Sequence, residues 1–152
     1  MKILDFLYRE TVNTDLQSTD KKGVLDELAS PVAKLMHIDH GEIVRVLTER
    51  ERMGSTGVGK GIAIPHGKLE GLENLIVGFG LSRRGVDFDA IDGRASDIFF
   101  LLLSPENSTG LHLRILARVS KMLKEENFRE NLRKVNGTDD VIRIISGVDE
   151  DF

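Results

Sequence analysis

Cysteine and tryptophan are absent from this 152-residue chain, and tyrosine occurs once. Without cysteine there is no disulfide, no thiolate metal ligand and no cysteine nucleophile. Proline is scarce, at three residues, and neither a Pro/Ser-rich linker, a low-complexity segment nor an internal repeat divides the chain. No run approaches the ~18 apolar residues of a membrane-spanning helix. The opening MKILDFLYRE has no long apolar core and no small-residue cleavage pattern, so no signal peptide is expected. Excess charge is slight, at −4, which argues against nucleic acid or an anionic membrane as a partner of the whole surface. What remains is ordinary for a soluble globular protein, with 40% hydrophobic and 30% charged residues. The expectation is one cytoplasmic domain spanning residues 1–152, long enough to bury a core.

Apolar spacing organises that domain. In KKGVLDELASPVAKLM (21–36), Val24, Leu25, Leu28, Val32, Leu35 and Met36 recur at helical intervals, with Pro31 expected to kink or divide the helix. GEIVRVLTERER (41–52) predicts a second helix with Ile43, Val44 and Leu47 on one face. GIAIPHG reads as a short strand that Pro65 stops or pushes to an edge. NLIVGFGLS (74–82) and DIFFLLLSP (97–105) read as strands, the second apolar enough to be covered on both faces. The intervening RRGVDFDAIDGRAS reads as a hairpin or loop with a short strand. A helix is expected from a Ser108 or Thr109 N-cap, and one or two closing helices from FRENLRKV and TDDVIRIISG, stopping at Gly147. Helices before, between and after apolar strands predict an α/β three-layer sandwich: a mixed β-sheet with helices on both faces. Phe79, Phe88, Phe99 and Phe100 are expected in its core.

The stretch GSTGVGKGIAIPHGKL (54–69) holds two candidate phosphate sites. Gly54, Gly59 and Lys60 approximate a nucleotide-binding P-loop, but Gly61 replaces the Ser/Thr that would hold magnesium. A charged helix end precedes the loop where a P-loop needs a buried strand, and a strand with Pro65 follows where it needs a helix. The glycines are better explained as a turn, in which Ser55 and Thr56 offer hydroxyls and amides to an anion. In the second half, His66 lies between Pro65 and Gly67, stiff on one side and sterically bare on the other. An imidazole so presented is a candidate nucleophile at neutral pH. His112 falls in the first turn of the predicted 108-onward helix, where amides and the helix dipole favour negative charge. His37 and His40 have H-x-x-H spacing without a third ligand, so they read as turn and capping residues rather than a metal site.

Glu51, Val58-Gly59 and Ile62-Ala63-Ile64-Pro65-His66-Gly67 together resemble the motif of the enzyme IIA components of the fructose/mannitol class of the bacterial phosphotransferase system. RERMGSTG (50–57), GIAIPHGKLEG and FDAIDG (88–93) look closest to its nitrogen-regulatory branch, and the likeness extends over nearly the whole chain. The resemblance implies a phosphoryl carrier. His66 would take a phosphoryl group, on Nε2, from a small histidine-containing phosphocarrier protein. His112 would bond the phosphoryl oxygens or steady the ring, Arg50 would supply positive charge, and Ser55, Thr56 and Gly67 would line the phosphate pocket. Arg52 stands where a lysine is expected, and spacing alone leaves it an alternative to Arg50. In-line phosphoryl transfer needs positioning and charge compensation, so no metal or other cofactor is implied. Downstream partners would be regulatory target proteins or, in the sugar-transport alternative, a permease component. Ile62, Ile64 and Leu69 are candidates for an apolar docking rim, or else for core.

Overall fold

A computed structural model describes residues 1–150. A six-stranded mixed sheet is sandwiched between two helical layers. After a short 3₁₀ turn at Ile3–Asp5 the chain forms β1 (Leu7–Asn13), α1 (Lys21–Met36) and α2 (His40–Arg52). Then follow β2 (Gly57–Gly59), β3 (Ile62–Ala63), β4 (His66–Leu69), β5 (Ile76–Val86) and β6 (Ser96–Pro105). The helices α3 (Thr109–Met122), α4 (Glu126–Arg133) and α5 (Thr138–Asp149) close the fold. The sheet order is β1-β5-β6-β3-β2, with β4 also paired to β6. β1 runs parallel to β5, β5 antiparallel to β6, β3 and β4 parallel to β6, and β2 antiparallel to β3.

β6 explains the two cores. Its even residues Ile98, Phe100 and Leu102 join the cluster under α3, α4 and α5, whereas its odd residues Phe99, Leu101 and Leu103 join the cluster under α1 and α2. Alternate side chains of a strand point to opposite faces, so a strand covered on both sides must be apolar throughout. The four phenylalanines expected inside are there: Phe79, Phe88 and Phe99 are 0% exposed and Phe100 is 1%. Phe79 meets Phe100 edge-on, as Phe88 meets Phe99.

Pro65 interrupts a strand without shifting it. Ile62 pairs with Ile98, Ala63 with Phe99 and His66 with Leu102, a constant offset on either side of the proline. The Pro65 carbonyl still accepts from the Leu102 amide at 3.0 Å. Residues 62–69 therefore alternate faces as one strand, and β4 lies beyond the reach of β2, at the rim of the sheet.

Several expectations change. α1 passes through Pro31 undivided, and α5 runs past Gly147 to Asp149. Arg83–Val86 belong to β5, extended beyond its apolar run by a register shift between Leu81 and Val86, where Gly85 has φ +77°. Ser108 is the N-cap of α3, but its hydroxyl makes no capping bond. β1 was not legible because it is a rim strand whose one buried residue, Thr11, is polar, and its pairing with β5 is itself irregular. Among the described residues no helix is long and apolar enough to cross a membrane.

Gly67 lets the sheet and α2 approach. A Cβ there would lie 2.6 Å from Val46 Cγ1 on α2, the helix whose last turn carries Arg50 and Glu51. Gly67→Ala is expected to destabilise the protein by ~1–3 kcal/mol through overpacking, read as a lower urea midpoint. The added change Val46→Ala should recover part of the loss.

Candidate functional site

Even-numbered residues of β4 share a face with Ile62 and Ile64, the side on which α3 packs. His66 opens β4 on that face, half-buried, and His112 descends toward it from α3. The two rings have centroids 5.6 Å apart at an interplanar angle of 50°. Arg50 reaches His66 from the last turn of α2, on the other side of the sheet, by passing round its rim.

The His66 imidazole is held in one tautomer by its own backbone. Nδ1 lies 2.7 Å from the Ile64 carbonyl oxygen. A carbonyl only accepts, so Nδ1 carries the proton and donates, leaving a lone pair on Nε2. Arg50 Nε donates to that nitrogen over a long 3.3 Å, and Arg50 Nη1 donates to the Gly54 carbonyl at 2.9 Å. The free lone pair thus faces a guanidinium. Arg52 is exposed, and it is Arg50 that meets the imidazole.

His112 is buried, at 6% exposure, and its Nδ1 lies 2.6 Å from the hydroxyl of the fully buried Ser104 on β6. Lys68, two residues beyond His66 and on the same face, donates from Nζ to Thr109 Oγ1 at 2.6 Å, which ties β4 to the start of α3. Burial is the main cause lowering the pKa of His66 from its ordinary 6.5. The Ile64 bond opposes that shift, Arg50 adds to it and Glu51 offsets part of it. The pKa of His112 is likewise lowered, by burial first and then by the repulsion that a protonated His66, and Lys68, would exert on its own positive charge. Two neutral imidazoles beside two cations make a place for a group that brings its own negative charge.

Other candidates have different duties. The Ser55 hydroxyl donates to the Phe88 carbonyl at 2.6 Å and accepts from the Gly57 amide at 2.9 Å. Thr56 is buried, and both its amide and its hydroxyl donate to the Glu51 carboxylate. Both hydroxyl protons are committed, to Phe88 beyond β5 and to Glu51 on α2, instead of being offered to an anion. Glu51 also pairs with Lys21 at 2.9 Å, so it fastens the glycine-rich turn to α1 and α2. Gly67 is explained by its closeness to Val46. Ile62, Ile64 and Leu69 are 4%, 4% and 0% exposed and belong to the core, not to a rim. Exposed apolar side chains are supplied instead by Met53, which caps α2 after Arg50, and by Leu113, beside His112. His37 caps α1 in the left-handed region, at φ 55°, and His40 contacts the Asp26 carbonyl at 3.0 Å. Among the described residues no group of three or more His, Cys, Asp or Glu is arranged to hold a metal.

Ser104 and Lys68 were missed from sequence. Lys68 was within reach of the argument, since a residue two beyond His66 on a strand shares its face. Ser104 carried no signal, because its meeting with His112 depends on how α3 folds back over β6.

Known proteins agree with this architecture. The sequence profile of the family described as "Phosphoenolpyruvate-dependent sugar phosphotransferase system, EIIA 2" matches residues 5–148. A "Nitrogen regulatory protein" of Bradyrhizobium diazoefficiens is 39% identical over 133 residues, covering 88% of this chain and 87% of that one. The "PTS system fructose-specific EIIABC component" of Bacillus subtilis is 33% identical over 151 residues, 99% of this chain but only 24% of that larger protein. Among solved structures, nitrogen regulatory protein IIA-Ntr from Neisseria meningitidis superposes with a TM-score of 0.88 at 33% identity, covering 93% of this chain and 97% of that one.

The lowered pKa values set a pH dependence. Unfolded, both imidazoles return toward 6.5 and bind protons that the folded protein refuses. Their contribution to stability is therefore fully present above pH 6.5 and is lost as pH falls through the lower folded values. The unfolding free energy from urea titrations should decline as pH drops below about 6.5. Ring-proton NMR should place the midpoints of His66 and His112 below the ordinary 6.5.

Proposed function

The chain belongs to the EIIA 2 family of the phosphoenolpyruvate-dependent sugar phosphotransferase system, and from that premise we propose that His66 is its phosphoryl acceptor. The observation that carries this reading is the pair of contacts on one ring: Nδ1–H donated to the Ile64 carbonyl, and Nε2 left with a lone pair facing Arg50.

The donor is a phosphohistidine on a small histidine-containing phosphocarrier protein. Nε2 of His66 forms a bond to phosphorus as the donor's N–P bond breaks, and the electron pair of that bond returns to the donor nitrogen. The His66 proton stays on Nδ1, donated to the Ile64 carbonyl throughout, so the ring needs no base. Because an N–P bond is exchanged for a similar one, the reaction is close to thermoneutral and reversible. Charge in the loose transition state is spread over the phosphoryl oxygens, and fixed donors around them are the chief contribution a protein can make. Arg50 moves from the Nε2 lone pair to those oxygens as phosphorus arrives. Lys68 adds positive charge. His112 presents Nε2–H while Ser104 donates its hydroxyl to Nδ1, a positioning role. Met53 and Leu113 supply apolar surface on which the donor protein docks.

The relatives favour the nitrogen-regulatory branch, since the identity to the Bradyrhizobium diazoefficiens protein is 39% over most of both chains. There the phosphoryl group on His66 acts in the cytoplasm as a switch on the affinity for regulatory target proteins. The match to one portion of a fructose-specific EIIABC component supports a second reading, in which the group passes on to a permease component.

With phosphoenolpyruvate and the upstream phosphocarriers, mass spectrometry should find one phosphoryl group on His66 and none in His66→Ala. Persistence of the modification in that variant would remove the central claim. Arg50→Gln and His112→Ala should each slow transfer by roughly 10²-fold, the scale of losing one preorganised donor. Ser104→Ala should slow it less and move the pH profile of the rate, a shift that loss of packing alone would not produce. Chasing the phosphoprotein with a fructose-type permease component separates the two outputs: discharge supports transport, and retention supports the switch.

A further inference from the structure

The turn that carries the rejected P-loop resemblance opens onto a second, strongly basic place. A cleft of about 560 Å³ lies where the β2–β3 turn, the end of β5, the β5–β6 turn and α4 converge. Its lining carries six cationic side chains against three carboxylates, in a chain whose net charge is −4. About 16 Å of extended strand, at ~3.3 Å per residue, separates Gly61 at this cleft from His66, so one small ligand does not span both places.

The carboxylates are largely spoken for. Asp97 takes two donors from Arg133, at 2.8 and 3.2 Å, and Glu130 takes a third at 2.9 Å. Arg133 Nη2 also donates to the Lys60 carbonyl at 2.8 Å, so this guanidinium braces the wall. Gly61 is glycine for the same reason. Its φ is +80°, and a Cβ would lie 2.6 Å from both Arg133 Nη2 and Asp97 Oδ1.

The remaining cations form no ion pair among the described residues, although Asp92, which accepts the Lys60 and Arg94 amides, lies near enough to feel the charge of Arg94. Arg129 is only 8% exposed, yet among the described residues it has no carboxylate partner within ion-pair distance. Its Nη1 donates to the Leu123 and Lys124 carbonyls at the end of α3, at 2.8 and 3.0 Å, which accounts for one of its three nitrogens. A buried guanidinium without a counter-charge is costly unless something anionic approaches it. Lys60, Arg84 and Arg94 stand exposed on the other walls, and none forms an ion pair among the described residues. The volume is in the range of metabolite sites and well beyond one phosphate. Guanidinium groups on several walls suit bidentate contacts to linked phosphates.

We infer that this cleft binds a small metabolite bearing two or more phosphate groups, with Arg129 at its floor and Lys60, Arg84 and Arg94 at its mouth. The site is independent of phosphoryl acceptance at His66 and would inform the protein of a phosphorylated metabolite.

Inorganic pyrophosphate is the probe, titrated into the unphosphorylated full chain and into His66→Ala, with amide NMR as the readout. Expected are saturable shifts at Lys60, Arg84, Ala95 and Arg129 in both proteins. The variant Arg84→Gln/Arg94→Gln alters two exposed side chains that form no ion pair among the described residues. It should weaken binding by about tenfold or more per lost guanidinium, while its remaining spectrum and its phosphorylation at His66 stay unchanged. Shifts that do not saturate, that centre on His66 and vanish in His66→Ala, or that persist undiminished in the double variant would overturn the assignment. So would a response to an acidic peptide or an oligonucleotide with none to pyrophosphate.

Discussion

Register between the Ile62–Leu69 segment and β6 governs much of this molecule. Because the offset is the same before and after Pro65, even residues face α3 and odd residues face α2 along the whole segment. One strand can therefore place Gly67 against Val46, and His66 and Lys68 toward His112 and Thr109, within three consecutive positions. A slip of one residue would exchange those faces, burying the imidazole against α2 and pushing the glycine toward α3. The core that resists such a slip is the apolar β6, with its two sets of side chains locked into opposite layers.

The imidazole is prepared by backbone more than by other side chains. A carbonyl two residues earlier selects its tautomer, and burial together with Arg50 keeps it uncharged. Cations close to a neutral imidazole have no counter-charge to answer in an empty site. They are useful when the incoming group carries negative charge of its own. The same logic applies in reverse at Glu51, whose buried carboxylate is consumed by Thr56 and Lys21 and so does not compete for Arg50.

Charge is unevenly distributed for a protein of modest net charge. Ion pairs such as Arg133–Asp97 and Arg118–Asp149 are structural, the latter joining α3 to the end of α5, where Asp149 also accepts the Ile3 and Leu4 amides. By contrast, Arg129 is buried with carbonyl partners alone among the described residues. Net charge describes the surface as a whole and does not foretell the charge of a single cleft.

Periodicity by itself was enough to find the helices, the two long strands and their phenylalanine core, because burial on one or two faces leaves a regular apolar trace. The spacing of Glu51, Gly59 and Pro65-His66-Gly67 was enough to single out one imidazole and its family resemblance. β1 left no such trace, being a rim strand with a single buried residue, the polar Thr11. Nor did the chain order reveal that Ser55 and Thr56 spend their hydroxyls on Phe88 and Glu51, that Ser104 contacts His112, or that Arg50 rather than Arg52 meets the ring. Those outcomes depend on which hydrogen-bonding groups arrive together when helices on opposite faces fold around a sheet edge. Distance along the chain carries no information about that, so only the tertiary structure could decide it.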